Sequence, residues 1–126
     1  MYSYNSYHKI IVLVIGVVWA IFHFRGKSSE NPTFENGQVQ RTGSQKNNLN
    51  EGVWTCYYSN GQVQRKGSFV EGGREGVWKN YDSLGNLTVE STYKNNKLNG
   101  RFTEFNKNGD ILYEYQYEND QIKKSD

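Results

Sequence analysis

A repeat of 24 residues constrains the fold of this chain more than any other feature of its sequence. The stretch EGVWTCYYSNGQVQRKGSF, residues 51 to 69, is followed 24 positions later by EGVWKNYDSLGNLTVESTY. Two families of glycines keep the spacing, as do three families of large apolar residues. They are Gly37, Gly61, Gly85 and Gly109; Gly52, Gly76 and Gly100; Trp54, Trp78 and Phe102; Tyr57, Tyr81 and Phe105; and Phe69, Tyr93 and Tyr117. Coincidence at one fixed period indicates a tandem array in which each unit packs on the next.

Each unit is predicted to contain a β-hairpin. Asn36-Gly37, Asn60-Gly61 and Asn108-Gly109 are dipeptides that tolerate the positive φ of a hairpin turn. In the third copy Leu84 replaces the asparagine, and Gly85 can serve there as the left-handed residue of a longer loop. The second family of glycines, at 52, 76 and 100, is predicted to mark the reversal from one hairpin to the next.

The loop length at Asn60-Gly61 decides the register of the hairpin. A two-residue loop pairs Tyr58 with Val63, Cys56 with Arg65 and Trp54 with Gly67, which places the Trp54 ring over a glycine. A three-residue loop shifts the register by one and moves Trp54 to the other face. We favour the two-residue loop because it groups more apolar residues on one face.

These units predict an all-β fold, an elongated antiparallel meander of about four hairpins over residues 34 to 126. One hairpin cannot bury its apolar face, whereas a stack of three or more shares a continuous aromatic stripe. Trp54, Trp78 and Phe102 are therefore predicted to be structural. In the last strand, ILYEYQYE, alternation predicts that Ile111, Tyr113, Tyr115 and Tyr117 share one face.

The N-terminal part is predicted to address the chain to a membrane. From Ile10 to Phe24 no residue is charged, so a hydrophobic helix is expected there, after a polar flank at 1–9 and before a polar linker at 25–33. As a helix it spans about 22 Å, against about 30 Å of hydrocarbon, a deficit that local thinning of the bilayer can accommodate. The alternative is a signal peptide cleaved after Ala20. The charge flanking the segment weakly favours a repeat domain outside the cytoplasm, either anchored or secreted.

Composition argues against nucleic acid as a partner and against catalysis. Residues 31 to 126 carry 12 Lys and Arg and 12 Asp and Glu, so the body lacks the basic field that nucleic-acid binding needs. Both histidines, His8 and His23, lie in or beside the hydrophobic segment. Cys56 stands alone at a repeat position that is Asn80 and Glu104 in later copies. No catalytic, cofactor or metal-ligating set is therefore expected.

The repeated pattern Gly-Val-Trp-x-x-Tyr-x-x-x-Gly resembles the MORN-repeat variant of bacterial proteins, over about residues 34 to 122. Whole chains of such copies resemble the YwqK family, the antitoxin components of toxin-antitoxin systems. The matching residues are Gly52, Trp54, Tyr57 and Gly61; Gly76, Trp78, Tyr81 and Gly85; and Gly100, Phe102, Phe105 and Gly109. The resemblance implies a MORN-like fold without a cofactor.

Two functions are consistent with these features. The first is a membrane-tethered or exported module that binds a protein partner through its repetitive β face. The second, implied by the resemblance, is an antitoxin that neutralises a toxin by direct binding. Contact with lipid or glycan through exposed Trp and Tyr side chains is a further expectation.

Overall fold

The computed structural model describes residues 31–123, which form one antiparallel sheet of eight strands in sequence order. The strands are β1 (Arg41–Lys46), β2 (Leu49–Tyr57), β3 (Val63–Val70), β4 (Gly73–Tyr81), β5 (Leu87–Lys94), β6 (Lys97–Phe105), β7 (Ile111–Glu118) and β8 (Gln121–Ile122). The predicted all-β meander is confirmed. The predicted polar flank, hydrophobic helix and most of the linker lie outside the described residues. Within residues 31–123 no helix has the length and apolar character needed to cross a membrane.

Three-residue loops close the turns of the first glycine family. At Tyr58 the backbone N–H donates to the Gln62 carbonyl at 2.8 Å, and Gly61 N–H donates back to the Tyr58 carbonyl at 2.9 Å. Gly61 alone of the loop residues adopts a positive φ, of 85°. The same pattern closes the loops that end in Gly37, Gly85 and Gly109. The predicted two-residue loop is therefore wrong, while the left-handed role expected of Gly85 is confirmed.

A β-bulge restores the predicted register in spite of the longer loop. Tyr57, rather than Tyr58, pairs with Val63, and Cys56 then pairs with Arg65. Gln64 is the extra residue, so the pairing shifts by one. Trp54 consequently faces Gly67 in the ladder, as predicted. The expectation that a three-residue loop would move Trp54 to the other face is wrong because the bulge compensates for the added residue.

Two-residue turns reverse the chain between hairpins, and none of them contains the glycines of the second family. Two consecutive residues with positive φ form each turn: Asn47-Asn48, Glu71-Gly72, Asn95-Asn96 and Asn119-Asp120. Such turns match the twist of the flanking strands. The second glycine family was predicted to mark these reversals, and that prediction is wrong. Gly52, Gly76 and Gly100 lie inside β2, β4 and β6, also at positive φ.

The second glycine family forms wide bulges inside the strands. Thr42 pairs with Thr55 and Ser44 with Glu51, so the single residue Gly43 faces three residues of β2, from 52 to 54. Glycine supplies the positive φ that the extra residues require. Such a bulge bends its strand, two residues before Trp54, Trp78 or Phe102.

Aromatic rings on one face take the place of a second layer. The face that carries Trp54, Trp78 and Phe102 is called the aromatic face below. Along it the rings of Trp54, Phe69, Trp78 and Tyr93 meet edge to face, with successive centroids 6.1, 5.0 and 6.4 Å apart. Among the described hydrophobic side chains only that of Trp78 is buried, at 7% exposure. Ring-edge contacts of this kind stabilise beyond the area they bury.

Each tryptophan covers a glycine of the preceding hairpin. A Cβ atom at Gly43 would overlap the Trp54 ring, and one at Gly67 would overlap the Trp78 ring. The prediction that Trp54 covers Gly67 is therefore wrong, because the ring leans toward the strand before it instead of toward its own hairpin partner. The indole N–H groups donate to the carbonyls of Ser44 and Ser68, at 2.9 and 3.1 Å.

The last copy leaves its strand uncovered. Ile111, Leu112, Tyr113 and Tyr115 are all exposed, and only Tyr117 in β7 is half-buried. Ile111 and Tyr113 pair with the neighbours Phe105 and Glu104, because Leu112 is bulged, so Ile111 lies on the opposite face from the tyrosines and the prediction that all four residues share one face is wrong. β8 pairs only with the end of β7, at Tyr117 and Glu118. No further repeat follows in the described chain to supply a ring above this strand.

Candidate binding surface

The repeat residues singled out from the sequence occupy four structural settings. The rings of Trp54, Trp78 and Phe102 lie on the aromatic face, and Gly61, Gly85 and Gly109 end the three-residue loops. Gly52, Gly76 and Gly100 form the bulges inside strands. Tyr57, Tyr81 and Phe105 stand at the strand ends and pair with Val63, Leu87 and Ile111. The structure distributes all twelve along the array and does not gather them into one pocket.

A groove on the aromatic face joins the first three copies of the repeat. We call it the arginine groove, because Arg41, Arg65 and Arg74 line it. Its volume is about 250 Å³. Trp54, Phe69 and Trp78 form its apolar part, and Asn50 and Cys56 complete the lining. The groove therefore combines three cations with aromatic carbon and contains no carboxylate.

Neighbouring strands place two of the arginines on either side of the cysteine. Cys56 in β2 pairs with Arg41 of β1 and with Arg65 of β3. Arg65 Nε lies 3.5 Å from Cys56 Sγ. Arg41 and Arg65 are both exposed, and the spacing of strands separates their backbones by roughly 10 Å. A ligand above Cys56 can thus reach both guanidinium groups.

The third arginine is held in position by residues of the third copy and of the turn that follows it. Arg74 Nε donates to Asn96 Oδ1 at 2.9 Å, and its guanidinium carbon lies 4.0 Å from the centre of the Tyr93 ring. Both contacts orient the guanidinium without neutralising its charge. Within residues 31–123 the salt bridges are Lys79 with Glu90 and Lys123 with Glu118, so no groove arginine is paired with a carboxylate there.

The opposite face of the sheet carries both signs of charge together with exposed valines at 53 and 77. Lys66 pairs in register with Lys79, and Lys79 pairs with Glu90 at an N–O distance of 3.6 Å. That pair is substantially exposed, so it contributes little to stability.

The described residues show no arrangement for metal binding. Among residues 31–123, no group of three or more His, Cys, Asp and Glu side chains could hold a metal ion. The pKa of Asp82 is lowered from its ordinary 3.8 because the side chain and backbone N–H groups of Asn86, followed by that of Leu84, donate to its carboxylate. These bonds close a loop, which accounts for the shift without any catalytic role.

The arginine groove was missed in the sequence, although a signal for it exists. Arg41 and Arg65 follow the same dipeptide, Val-Gln, and lie 24 residues apart. The equivalent positions in the third and fourth copies are Val89 and Tyr113. A basic residue that recurs in some copies and is apolar in others marks a position whose charge the fold does not require.

The fold and its repeated turns define a class of protein built from tandem β-hairpins stacked in one sheet. The family model of the MORN repeat variant matches residues 50–71, 74–95 and 98–119, more than half of the chain. The chain therefore belongs to the MORN repeat variant family. Each matched segment covers two consecutive strands and the three-residue loop between them. Comparison with curated proteins finds no match.

Proposed function

We propose that the chain is a non-catalytic protein-interaction module that binds its partner through the aromatic face and is tethered to a membrane by residues 10–24. The observation that carries the proposal is the aromatic face itself. In the described sheet it has no second layer, and Trp54 and Phe69 remain partly exposed on it.

The composition of this face matches that of protein-binding surfaces. Trp, Tyr and Arg dominate the energetics of protein interfaces because each combines a large contact area with directed hydrogen bonds. Repeat arrays present such residues on an extended surface without any need for a deep pocket. The described surface suits contact with a partner better than chemistry on a small substrate.

Site-specific photo-crosslinking in the native host tests which face binds the partner. Asn80 and Lys79 are neighbours on β4, so their side chains point to opposite faces, with Asn80 beside Arg65. A photo-reactive amino acid at position 80 is expected to give a discrete protein adduct, and the same residue at position 79 is the matched control. Absence of a protein adduct from position 80, or equal adducts from both positions, would contradict the proposal.

Fractionation tests the membrane tether. The full chain is expected to stay in the membrane pellet after an alkaline wash, and a variant lacking residues 10–24 is expected to leave it. N-terminal sequencing distinguishes an anchor from a signal peptide cleaved after Ala20. Release of the intact chain by the wash would contradict a spanning anchor.

Thiol labelling of whole cells tests the side of the membrane. A Lys79→Cys variant carrying Cys56→Ser has one exposed thiol, on the face opposite the aromatic face. A reagent that cannot cross membranes is expected to label it in intact cells if the repeat domain lies outside the cytoplasm. Labelling only after lysis would place the domain inside.

An antitoxin is the second candidate, motivated by the resemblance of the Gly-Val-Trp repeats to the YwqK family. In that case the adduct from position 80 is a toxin encoded beside this chain. Depletion of the chain is expected to arrest growth only while the neighbouring gene is intact. Normal growth after depletion would remove this candidate and leave the broader interaction role standing.

A further inference from the structure

The arginine groove carries charge that the fold itself does not use. Position 65 is occupied by valine in the third copy and tyrosine in the fourth, and position 74 by Leu98 and Ile122. Leu98 lies in β6, a strand of nine residues like β4, and Val89 and Tyr113 lie in β5 and β7, strands of eight residues like β3. Apolar side chains thus satisfy the repeat at these positions, so the fold does not require the guanidinium groups of Arg65 and Arg74.

The charge is confined to one end of the aromatic face. A row of cross-strand partners starts with Arg41, Cys56 and Arg65, and continues through Asn80, Val89 and Glu104 to Tyr113. The row changes from basic to acidic along the array. A flat membrane or a nucleic acid would need cations spread over the whole face.

The rings beside the arginines favour a peptide over a nucleic-acid base. Successive rings from Trp54 to Tyr93 are inclined by 80° to 84°, so they interlock with one another and do not form an open stacking platform. Such an apolar floor can accept an aliphatic side chain. Guanidinium groups with no carboxylate partner in the described chain can bind a carboxylate by donating paired hydrogen bonds to its oxygens.

We propose that the arginine groove binds an acidic segment of the protein partner, in which a carboxylate lies between Arg41 and Arg65 and an adjacent aliphatic side chain contacts Trp54 and Phe69. This inference rests on the proposed function and specifies the chemistry of the partner. Charge complementarity is its basis, since the groove has three cations and no anion. Cys56 lies beneath the bound carboxylate.

A defined peptide tests the groove in the full-length purified chain. The probe is a capped, fluorescent hexapeptide of alternating glutamate and leucine, and its control has glutamine in place of each glutamate. Fluorescence anisotropy is expected to show binding of the glutamate peptide that weakens with added salt. The glutamine peptide is expected to bind about tenfold more weakly or worse, the scale of one charge-assisted contact.

Matched arginine variants assign the binding to the groove. Arg65→Gln is expected to weaken binding about tenfold, and Arg65→Val tests the same loss with the side chain that the third copy accepts. Arg101→Gln is the control, because Arg101 is exposed in β6 on the opposite face, beside Gln116. Equal weakening by Arg101→Gln, or unchanged binding with both Arg65 variants, would overturn the inference.

Alkylation of Cys56 supplies an independent readout. Since Cys56 is the only cysteine in the chain, the rate of its reaction with iodoacetamide is expected to fall several-fold when the glutamate peptide is bound, and to be unaffected by the glutamine peptide. Protection by phosphatidylserine vesicles or by inorganic phosphate, with none by the peptide, would overturn the inference in favour of a lipid or phosphate site.

The two proposals fail in different ways. A protein adduct from position 80 that persists unchanged in Arg65→Gln, together with no peptide binding, overturns the acidic partner and leaves the interaction module intact. Absence of any adduct overturns the interaction module itself.

Discussion

Gly67 is expected to be among the least replaceable positions in the sheet. A Cβ atom there would lie 2.5 Å from Cγ of Trp78 and closer still to Cδ2, whereas carbon atoms in contact stay about 3.5–4.0 Å apart. The ring must therefore retreat by more than about 1 Å. The ring is also held by an edge-to-face contact with Phe69 and by the bond from its N–H to the Ser68 carbonyl.

The cost follows from what the ring would lose. Overpacking a fitted site costs about 1–3 kcal/mol, and partial exposure of the one buried hydrophobic side chain among the described residues adds to it. We expect Gly67→Ala to reduce the free energy of unfolding by about 2–4 kcal/mol, a large part of the 5–15 kcal/mol typical of a domain. Urea unfolding followed by far-ultraviolet circular dichroism measures this loss.

Gly73→Ala is the matched control for the same substitution. Gly73 begins β4, has no positive φ, and its Cβ would meet nothing closer than 3.6 Å. The alanine is expected to change the free energy of unfolding by at most about 0.5 kcal/mol. Similar losses at Gly67 and Gly73 would refute the reasoning from ring contact.

The contact between the third and fourth copies has a different pair of residues at this site. Ser91 and Phe102 stand where Gly67 and Trp78 stand, and Ser91 is only 2% exposed. A smaller ring therefore makes room for a larger partner. The double variant Gly67→Ser with Trp78→Phe is expected to lose about 1–3 kcal/mol less free energy of unfolding than the two single variants lose in sum. Strict additivity would also refute the argument.

Three further predictions concern the turns. Glu71 is the one residue at positive φ in the described chain that is not Gly, Asn or Asp, so Glu71→Asn is expected to raise the free energy of unfolding by about 0.5–1 kcal/mol, and an unchanged urea midpoint would contradict this. Leu84 is 79% exposed and is the repeat equivalent of Asn60, whose side chain donates to the Ser83 carbonyl. Leu84→Asn is expected to add the equivalent hydrogen bond and to raise the free energy of unfolding by about 0.5–1.5 kcal/mol. A thermal midpoint that does not rise would contradict this. Because the pKa of Asp82 is depressed in the folded state, its carboxylate stabilises the fold above pH 3.8, and this contribution is lost as the pH falls through the lower folded pKa. Asp82→Asn introduces the residue that the next copy has at Asn106, and it is expected to make the free energy of unfolding depend less on pH in that acid range. An unchanged pH dependence would be evidence against this.

Sequence periodicity predicted the strands but not the chain reversals between them. The glycines of the first family located each loop, yet the loop at Gly61 has three residues, of which only Gly61 adopts a positive φ. The true two-residue turns are formed by pairs such as Asn47-Asn48 and Glu71-Gly72, which the glycine families concealed. The predicted pairing of Trp54 with Gly67 held because Gln64 is bulged, a compensation that no local pattern announces.

The sequence by itself determined the repeat, the all-β class and the pairing of large rings with small residues, because a fixed period and side-chain size are written into the order of the residues. The sequence predicted that Cys56 pairs with Arg65, but only the tertiary structure decided that Arg41 lies on the other side of Cys56. Their common face depends on the number of residues in each loop and bulge between β1 and β3. A change of one residue in any of them would turn one arginine to the opposite face, so the groove is a property of the assembled sheet.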